Sequence, residues 1–223
     1  MKVSFHPTVF CRWQSWIFLG YVFLGVGFSG IGIYLFAQGV ATRNASPAPK
    51  GASSGRPFLA KFTDVAAQAG LSMPIIVGSE TTKKYILEAN GTGVALVDFD
   101  NDGKLDIFLV NGSRLEGYEG VEAPTNRLYR SSGLGKFLDV TKKAGMARSG
   151  WGSGVCAGDV DNDGRDDVYV TYWGPNALYR NRGDFTFEDV STRSGVSGPP
   201  KEWSSGCTFF DYDRDGLLAA CRT

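Results

Sequence analysis

Four carboxylates, from Asp98, Asp100, Asp102 and Asp106, crowd into nine residues around Gly103 in the stretch Asp98-Phe-Asp-Asn-Asp-Gly-Lys-Leu-Asp106. Without a counter-ion such a cluster repels itself strongly. A hard cation resolves the conflict. Ca²⁺ takes about six to eight oxygen ligands in flexible geometry, and alternating aspartates with a glycine-permitted turn can wrap it. The pattern D-x-D-x-D-G-x-x-D returns at Asp159, Asp161, Asp163, Gly164 and Asp167. Recurrence argues against an accidental acidic turn, which is the alternative reading. A third copy opens with Asp211, Asp213, Asp215 and Gly216 but carries Ala219 in ninth place, so its capacity for an ion stays open.

An EF-hand also begins this way, but it requires a bidentate Glu at the twelfth position and flanking helices. Here the twelfth positions are Leu109 and Val170. The flanks Val94-Ala-Leu-Val97 and Leu105-Asp-Ile-Phe-Leu-Val110 are short, apolar and β-branched or aromatic, as strands are. The cation therefore belongs to a strand-to-strand hairpin.

The elements that must position these loops repeat with them. Phe62-Thr-Asp-Val-Ala-Ala-Gln-Ala-Gly-Leu71 returns as Phe137 to Met146 and as Phe187 to Val196, and Asn126-Arg-Leu-Tyr-Arg130 returns as Asn176-Ala-Leu-Tyr-Arg180, 50 residues on. The aspartate loops start at 98, 159 and 211, at intervals of 61 and 52. Each unit reads as an apolar strand, an aspartate loop, a second strand, a Leu-Tyr strand, a glycine turn and a Phe-x-Asp-Val strand. That order predicts an all-β fold of four-stranded, β-propeller-type blades, two full units and part of a third. One blade is too small to bury its own faces, so Phe108, Leu109, Leu128, Tyr129 and Phe137 must pack against the next.

Gly93, Gly154 and Gly206 stand five residues before the first aspartate of each loop and serve the backbone; Trp151 and Trp203 stand eight before it and read as packing rather than as a ligand platform. Arg130 and Arg180 read as closing a turn or an ion pair rather than binding substrate. Cys156 and Cys207 fall three and four residues before the first aspartate of their loops, where the first unit has Ala95 and Val94. With Cys11 and Cys221 they form no zinc spacing, and they read as small buried apolar residues in preference to a disulfide.

Ahead of the repeats, Trp16 to Val40 carries no charged residue over 25 positions, enough as a helix for roughly 37 Å. The domain order is thus a short tail (1–15), a transmembrane signal-anchor (16–41), a Ser/Ala/Pro/Gly linker (42–57) and the repeats (58–223). A signal peptide cleaved after Ala41 is the competing reading. Millimolar Ca²⁺ outside the cytoplasm suits loops of modest affinity, so the repeats are expected to be extracellular or periplasmic. Lys2 and Arg12 are the only fixed charges in Met1 to Ala41, leaving 21 basic against 23 acidic residues beyond, net −2. No basic nucleic-acid surface emerges from this balance, and the single histidine, His6, removes histidine catalysis from consideration.

The stretch Lys84-Tyr-Ile-Leu-Glu-Ala-Asn-Gly-Thr-Gly-Val-Ala-Leu-Val-Asp-Phe-Asp-Asn-Asp-Gly, followed by Pro124-Thr-Asn-Arg-Leu-Tyr-Arg, resembles the FG-GAP (VCBS-type) repeats of integrin α-chain propellers. More closely, it is similar to the cartilage-acidic-protein-like group, whose members often carry an ASPIC/UnbV segment that is absent here. The resemblance spans about Phe58 to Gly216. It implies a β-propeller architecture, export and loop-bound Ca²⁺, with aspartates at positions one, three, five and nine and a backbone carbonyl at seven as ligands. Those positions are Asp98, Asp100, Asp102, Lys104 and Asp106, then Asp159, Asp161, Asp163, Arg165 and Asp167, with Asp211, Asp213 and Asp215 the remnant in the third loop. Propellers need about four to eight blades, and the chain after Gly216 abandons the earlier pattern, so it reads as an amino-terminal fragment.

Arg182-Gly183-Asp184 spells an integrin-recognition tripeptide, yet it fills the turn that Ser132-Gly133-Leu134 fills one unit earlier, which favours coincidence. Asn44, Asn90 and Asn111 head glycosylation sequons. The function expected is a calcium-binding extracytoplasmic module for protein or glycan interaction, with adhesion as the type. A propeller scaffold for an exported carbohydrate-active enzyme using Glu80, Glu88 or Glu116, or a purely structural fragment, are the alternatives.

Overall fold

Short segments alternating apolar and polar residues fold as strands because one face can be buried while the backbone pairs laterally. The computed structural model describes residues 62–79, 82–114 and 123–223. Strands β1 (Val94–Val97), β2 (Asp106–Leu109), β3 (Arg127–Gly133) and β4 (Lys136–Asp139) form one four-stranded antiparallel sheet in sequence order. Strands β5 (Gly152–Gly158), β6 (Asp167–Tyr172), β7 (Ala177–Asn181) and β8 (Phe187–Asp189) form a second of the same order, and β9 (Cys207–Phe210) pairs with β10 (Ala219–Arg222). Val97 pairs with Asp106, Gly158 with Asp167 and Phe210 with Ala219, so the three aspartate loops close equivalent hairpins.

The sequence order of elements anticipated for each unit is therefore seen twice in full. No ring of blades closes among the described residues, and none of their helices is long and apolar enough to cross a membrane. The segment 16–41 expected to do so, and the linker 42–57, lie outside the described residues.

Two cores follow from the alternation along β6. Val168, Val170 and Tyr172 point to one face, where they meet Phe108 and Leu128 of the first sheet and Phe187 of their own. Tyr169 points to the other, with Leu178, Val190 and Val196, against Cys207 and Phe209. All six residues of β6 are buried in consequence. The first sheet is covered on one face only among the described residues, and Val94 and Leu96 keep 60% and 58% exposure.

The glycine positions explain how closely the inner strands approach. A Cβ on Gly154 would lie 3.0 Å from the Ser205 carbonyl oxygen and 3.2 Å from Gly206 Cα, and one on Gly93 would lie 3.1 Å from the Gly154 carbonyl carbon. Polar staples reinforce the contact. Asn126 accepts the Asn111 N–H (3.0 Å) and donates to the Tyr172 hydroxyl (2.6 Å), while Asn176 accepts the Tyr172 N–H (2.9 Å) and donates to Ser204 Oγ (3.1 Å). The asparagine of the Asn-x-Leu-Tyr-Arg element thus ties its unit to the following one. Trp151 is buried, and Trp203 donates its indole N–H to Ser153 Oγ (2.9 Å), in keeping with packing roles.

Three features depart from the sequence expectations. Cys156 and Cys207 are joined in a disulfide across β5 and β9, with Cα atoms 6.0 Å apart. Residues at equivalent positions of successive inner strands face the same way, but a shift of one position reverses the face of a strand residue. Their offset, three against four residues before the aspartate, therefore turns the two thiols toward each other. Second, the segment after Gly216 keeps the strand that its sequence abandons, because Ala219–Arg222 needs only backbone groups to pair with Cys207–Phe210. Third, the Phe-x-Asp-Val segment, a strand at Phe137 (β4) but not at Phe62, runs into a four-residue helix, α1 (Ala66–Ala69) and α2 (Thr141–Ala144), each stopped by a left-handed glycine, Gly70 (φ 93°) and Gly145 (φ 76°). Thr141 in α2 replaces a ladder partner: its Oγ1 accepts the Leu128 N–H at 2.9 Å, as Ser191 Oγ does for Leu178.

Candidate metal centre

Each aspartate loop is built from its own carboxylates inward. The first-position carboxylate caps the turn: Asp98 Oδ1 accepts the Asp102 N–H (3.0 Å) and Oδ2 the Gly103 N–H (2.7 Å), and Asp159 repeats this with Asp163 (3.0 Å) and Gly164 (2.7 Å). The turn requires left-handed backbone at positions four and six, supplied by Asn101 (φ 57°) and Gly103 (φ 82°), then by Asn162 (φ 55°) and Gly164 (φ 82°). Asparagine tolerates that conformation better than most side-chain-bearing residues. Both asparagines also reach forward, Asn101 Nδ2 to the Gly164 carbonyl (3.0 Å) and Asn162 Nδ2 to the Gly216 carbonyl (2.5 Å), so successive loops are joined.

The ninth-position carboxylates are the deepest. Asp106 and Asp167 are 1% and 0% exposed. Asp106 Oδ2 accepts the Phe99 N–H (3.1 Å) and Oδ1 the Ser131 N–H (2.8 Å); Asp167 does the same for Val160 (3.1 Å) and Asn181 (2.8 Å). Each binds the loop to the third strand of its sheet. Burial pushes both acids up, Asp167 to about 6, although the backbone donors pull the other way. A nearby cation would offset that desolvation.

Ligand atoms of Asp98, Asp100 and Asp106 lie within 4.8 Å of one another, as do those of Asp159, Asp161 and Asp167, and those of the exposed trio Asp211, Asp213 and Asp215. The fifth-position residues Asp102 and Asp163 stand apart from the first two groups. Their carboxylates receive the seventh-position side chains instead: Lys104 Nζ lies 2.8 Å from Asp102 Oδ2, and Arg165 pairs with Asp163. The Lys104 hydrogen bond holds Asp102 below the usual carboxylate range. Arg130 and Arg180 form the ion pairs expected of them, and their partners are the loops themselves. Arg130 reaches Asp100 Oδ2 at 2.6 Å, and Arg180 pairs with Asp161 and lies 3.3 Å from Asp163.

These residues pass a test of fit for a hard divalent cation. Asp100 Oδ1 and Asp161 Oδ1 are buried with no hydrogen-bond partner, an arrangement that destabilises a fold unless something supplies positive charge. The available donors are carboxylate oxygens, the ligand type of Ca²⁺ and Mg²⁺. The joining asparagines and the link to the third strand were missed in the sequence. Their signal was there, since asparagine precedes Asp-Gly in both complete loops and Arg214 takes its place in the damaged one.

The remaining candidates are accounted for by local structure. Glu88 accepts the N–H groups of Lys84 (2.8 Å), Tyr85 (3.1 Å) and Ser79 (3.3 Å), and the Lys84 bond above all keeps its carboxyl low. It is committed to the backbone; Glu80 and Glu116 lie outside the described residues. Gly183 (φ 84°) and Asp184 (φ 52°) trace the same turn as Gly133 (φ 86°) and Leu134 (φ 53°), and Arg182 pairs with Glu188. Asn111 is buried, donating its amide to the Pro74 and Thr125 carbonyls at 3.3 and 3.1 Å, and so is closed to a glycan, whereas Asn90 is exposed.

Repeated four-stranded antiparallel units, each with an aspartate hairpin between its first two strands, define a class of repeat protein. The FG-GAP-like repeat model matches residues 98–170 and 159–218, and the chain belongs to that family. Within it, the chain is similar to cartilage acidic protein 1 of Homo sapiens, 31% identical over 133 residues that make up 57% of this chain and 20% of that protein. The Xenopus tropicalis counterpart is 25% identical over 132 residues, 58% of this chain and 20% of its own length. The chain thus spans about a fifth of the length of these relatives.

Proposed function

We propose that this chain is an extracytoplasmic interaction module whose hairpins are ordered by Ca²⁺. Asp98, Asp100, Asp102 and Asp106 would hold one ion and Asp159, Asp161, Asp163 and Asp167 a second, with the Lys104 and Arg165 carbonyls as further ligands; the Asp211, Asp213 and Asp215 remnant is the weakest candidate. The bound ion supplies positive charge that the crowded carboxylates lack. The residues do the rest: Asp98 and Asp159 shape the turn, and Asp106 and Asp167 fasten it to the sheet. The observation that carries this reading is the same unpaired, buried Oδ1 at the third position of both complete loops.

Export is supported by the Cys156–Cys207 disulfide, a bond that persists in oxidising compartments and is rare in the cytosol. The uncharged segment 16–41 would anchor the repeats to a membrane, leaving them on its outer side. The partner proposed is a protein or glycan, in line with the adhesion-type module that FG-GAP-like repeats suggest. The test is a binding screen against immobilised glycans and extracellular proteins with the full chain in detergent micelles. Capture that disappears in chelator and returns with Ca²⁺ is the expected outcome; capture indifferent to chelator would contradict it.

A further inference from the structure

The aspartate motif omits one side chain that both complete loops possess. Arg130 lies on β3 and Arg180 on β7, each directly after a Leu-Tyr pair, and each crosses to the third-position carboxylate of its own unit's loop. In both units the guanidinium takes Oδ2 and leaves Oδ1 buried and unpartnered. Arg130 also stacks over the Phe185 ring, 4.9 Å from its centroid, which fixes its approach. Resting on the calcium assignment above, we infer that Arg130 and Arg180 are positioning residues for the two ion sites: by holding Oδ2 of Asp100 and Asp161 they keep Oδ1 turned inward as a ligand.

Two observations separate this role from simple occupation of an empty site by a cation. A guanidinium substituting for the ion would engage the buried oxygen, yet the buried oxygen is the one it leaves alone. The charges also leave room for a divalent ion. In the first loop four motif carboxylates face Lys104 and Arg130, a surplus of two negative charges, and in the second Asp166 adds a fifth carboxylate to the four that face Arg165 and Arg180, a surplus of three. Partners that orient a metal's ligands in this way typically change affinity by about 10–100-fold when removed.

The test is calorimetric titration of Ca²⁺ into the full chain in detergent micelles after chelator treatment, for the wild type, Arg130→Gln, Arg130→Lys and Arg180→Gln, with melting curves in chelator alongside. Arg130→Gln is expected to weaken one of two sites by roughly 10–100-fold, Arg130→Lys to restore part of the loss, and Arg180→Gln to weaken the other site. Melting in chelator should move little, because a part-exposed ion pair is screened by solvent and contributes little to stability. Tighter Ca²⁺ binding in Arg130→Gln would show a competitor instead. Unchanged affinity, or equal losses of melting temperature with and without Ca²⁺, would also overturn the positioning role. A wild type that takes up no Ca²⁺ would remove the calcium assignment itself, a result distinguishable from the others.

Discussion

A carboxylate can serve a loop as ligand alone or as ligand and scaffold together, and the aspartates here differ in how much backbone they hold. Asp167 and Asp106 each satisfy two backbone N–H groups, one buried and one part-buried, whereas Asp100 and Asp161 satisfy none with Oδ1. Leaving a buried donor unsatisfied costs about 1–3 kcal/mol. Asp167→Ala should therefore lower unfolding free energy in chelator by roughly 2–5 kcal/mol in urea titrations. Asp161→Ala should lower it by no more than about 1 kcal/mol in chelator, yet remove most of the increase in melting temperature that Ca²⁺ produces. Equal losses for Asp161→Ala in both conditions would contradict this difference. Sequence alone treated these four aspartates as equivalent ligands, because spacing reports which oxygens are near and not which of them the backbone has already claimed.

At the scale of elements, contact between units is set by glycine clearance, asparagine staples and one covalent bond. The disulfide closes a loop of 51 residues, for which chain entropy gives about 4 kcal/mol. Replacing Cys156 and Cys207 by serine, or adding reductant, should lower stability by about 2–4 kcal/mol and loosen β9 and β10 first, seen as faster amide exchange in Phe209 and Phe210. Gly154→Val should be more damaging than its exchange for alanine, since the Cβ already presses on the Ser205 carbonyl at 3.0 Å; loss of protection in β9 on hydrogen exchange checks this.

Most of this level was legible. The alternation at Val94–Val97, the Leu-Tyr pairs and the Phe-x-Asp-Val segments mark the four strands of each sheet, because period-two burial leaves a plain trace. The helices Ala66–Ala69 and Thr141–Ala144 were not, as a single turn shows no helical periodicity. The disulfide was hidden by a one-residue offset whose meaning, two side chains facing each other, depends on how two sheets pack.

For the whole molecule, the link between ions and folding is thermodynamic. A ligand that binds only the native state adds about 2.7 kcal/mol at one hundred times its dissociation constant, and the two loops are joined through Asn101 and Gly164. Melting temperature should rise steadily with the logarithm of Ca²⁺ concentration and fall back on adding chelator, with Mg²⁺ much less effective because it demands rigid octahedral ligands. Two ions would also carry the full chain from net 0 to +4, so its electrophoretic mobility at neutral pH should shift toward the cathode when it is loaded.

Isothermal titration of Ca²⁺ into the chelator-treated full chain, with circular dichroism recorded on the same sample, bears most directly on whether these loops are ion sites. Uptake of two ions per chain, reduced to one by Asp100→Ala or Asp161→Ala, is the expected result. A chain that shows folded β-structure and releases no heat with Ca²⁺ would contradict it.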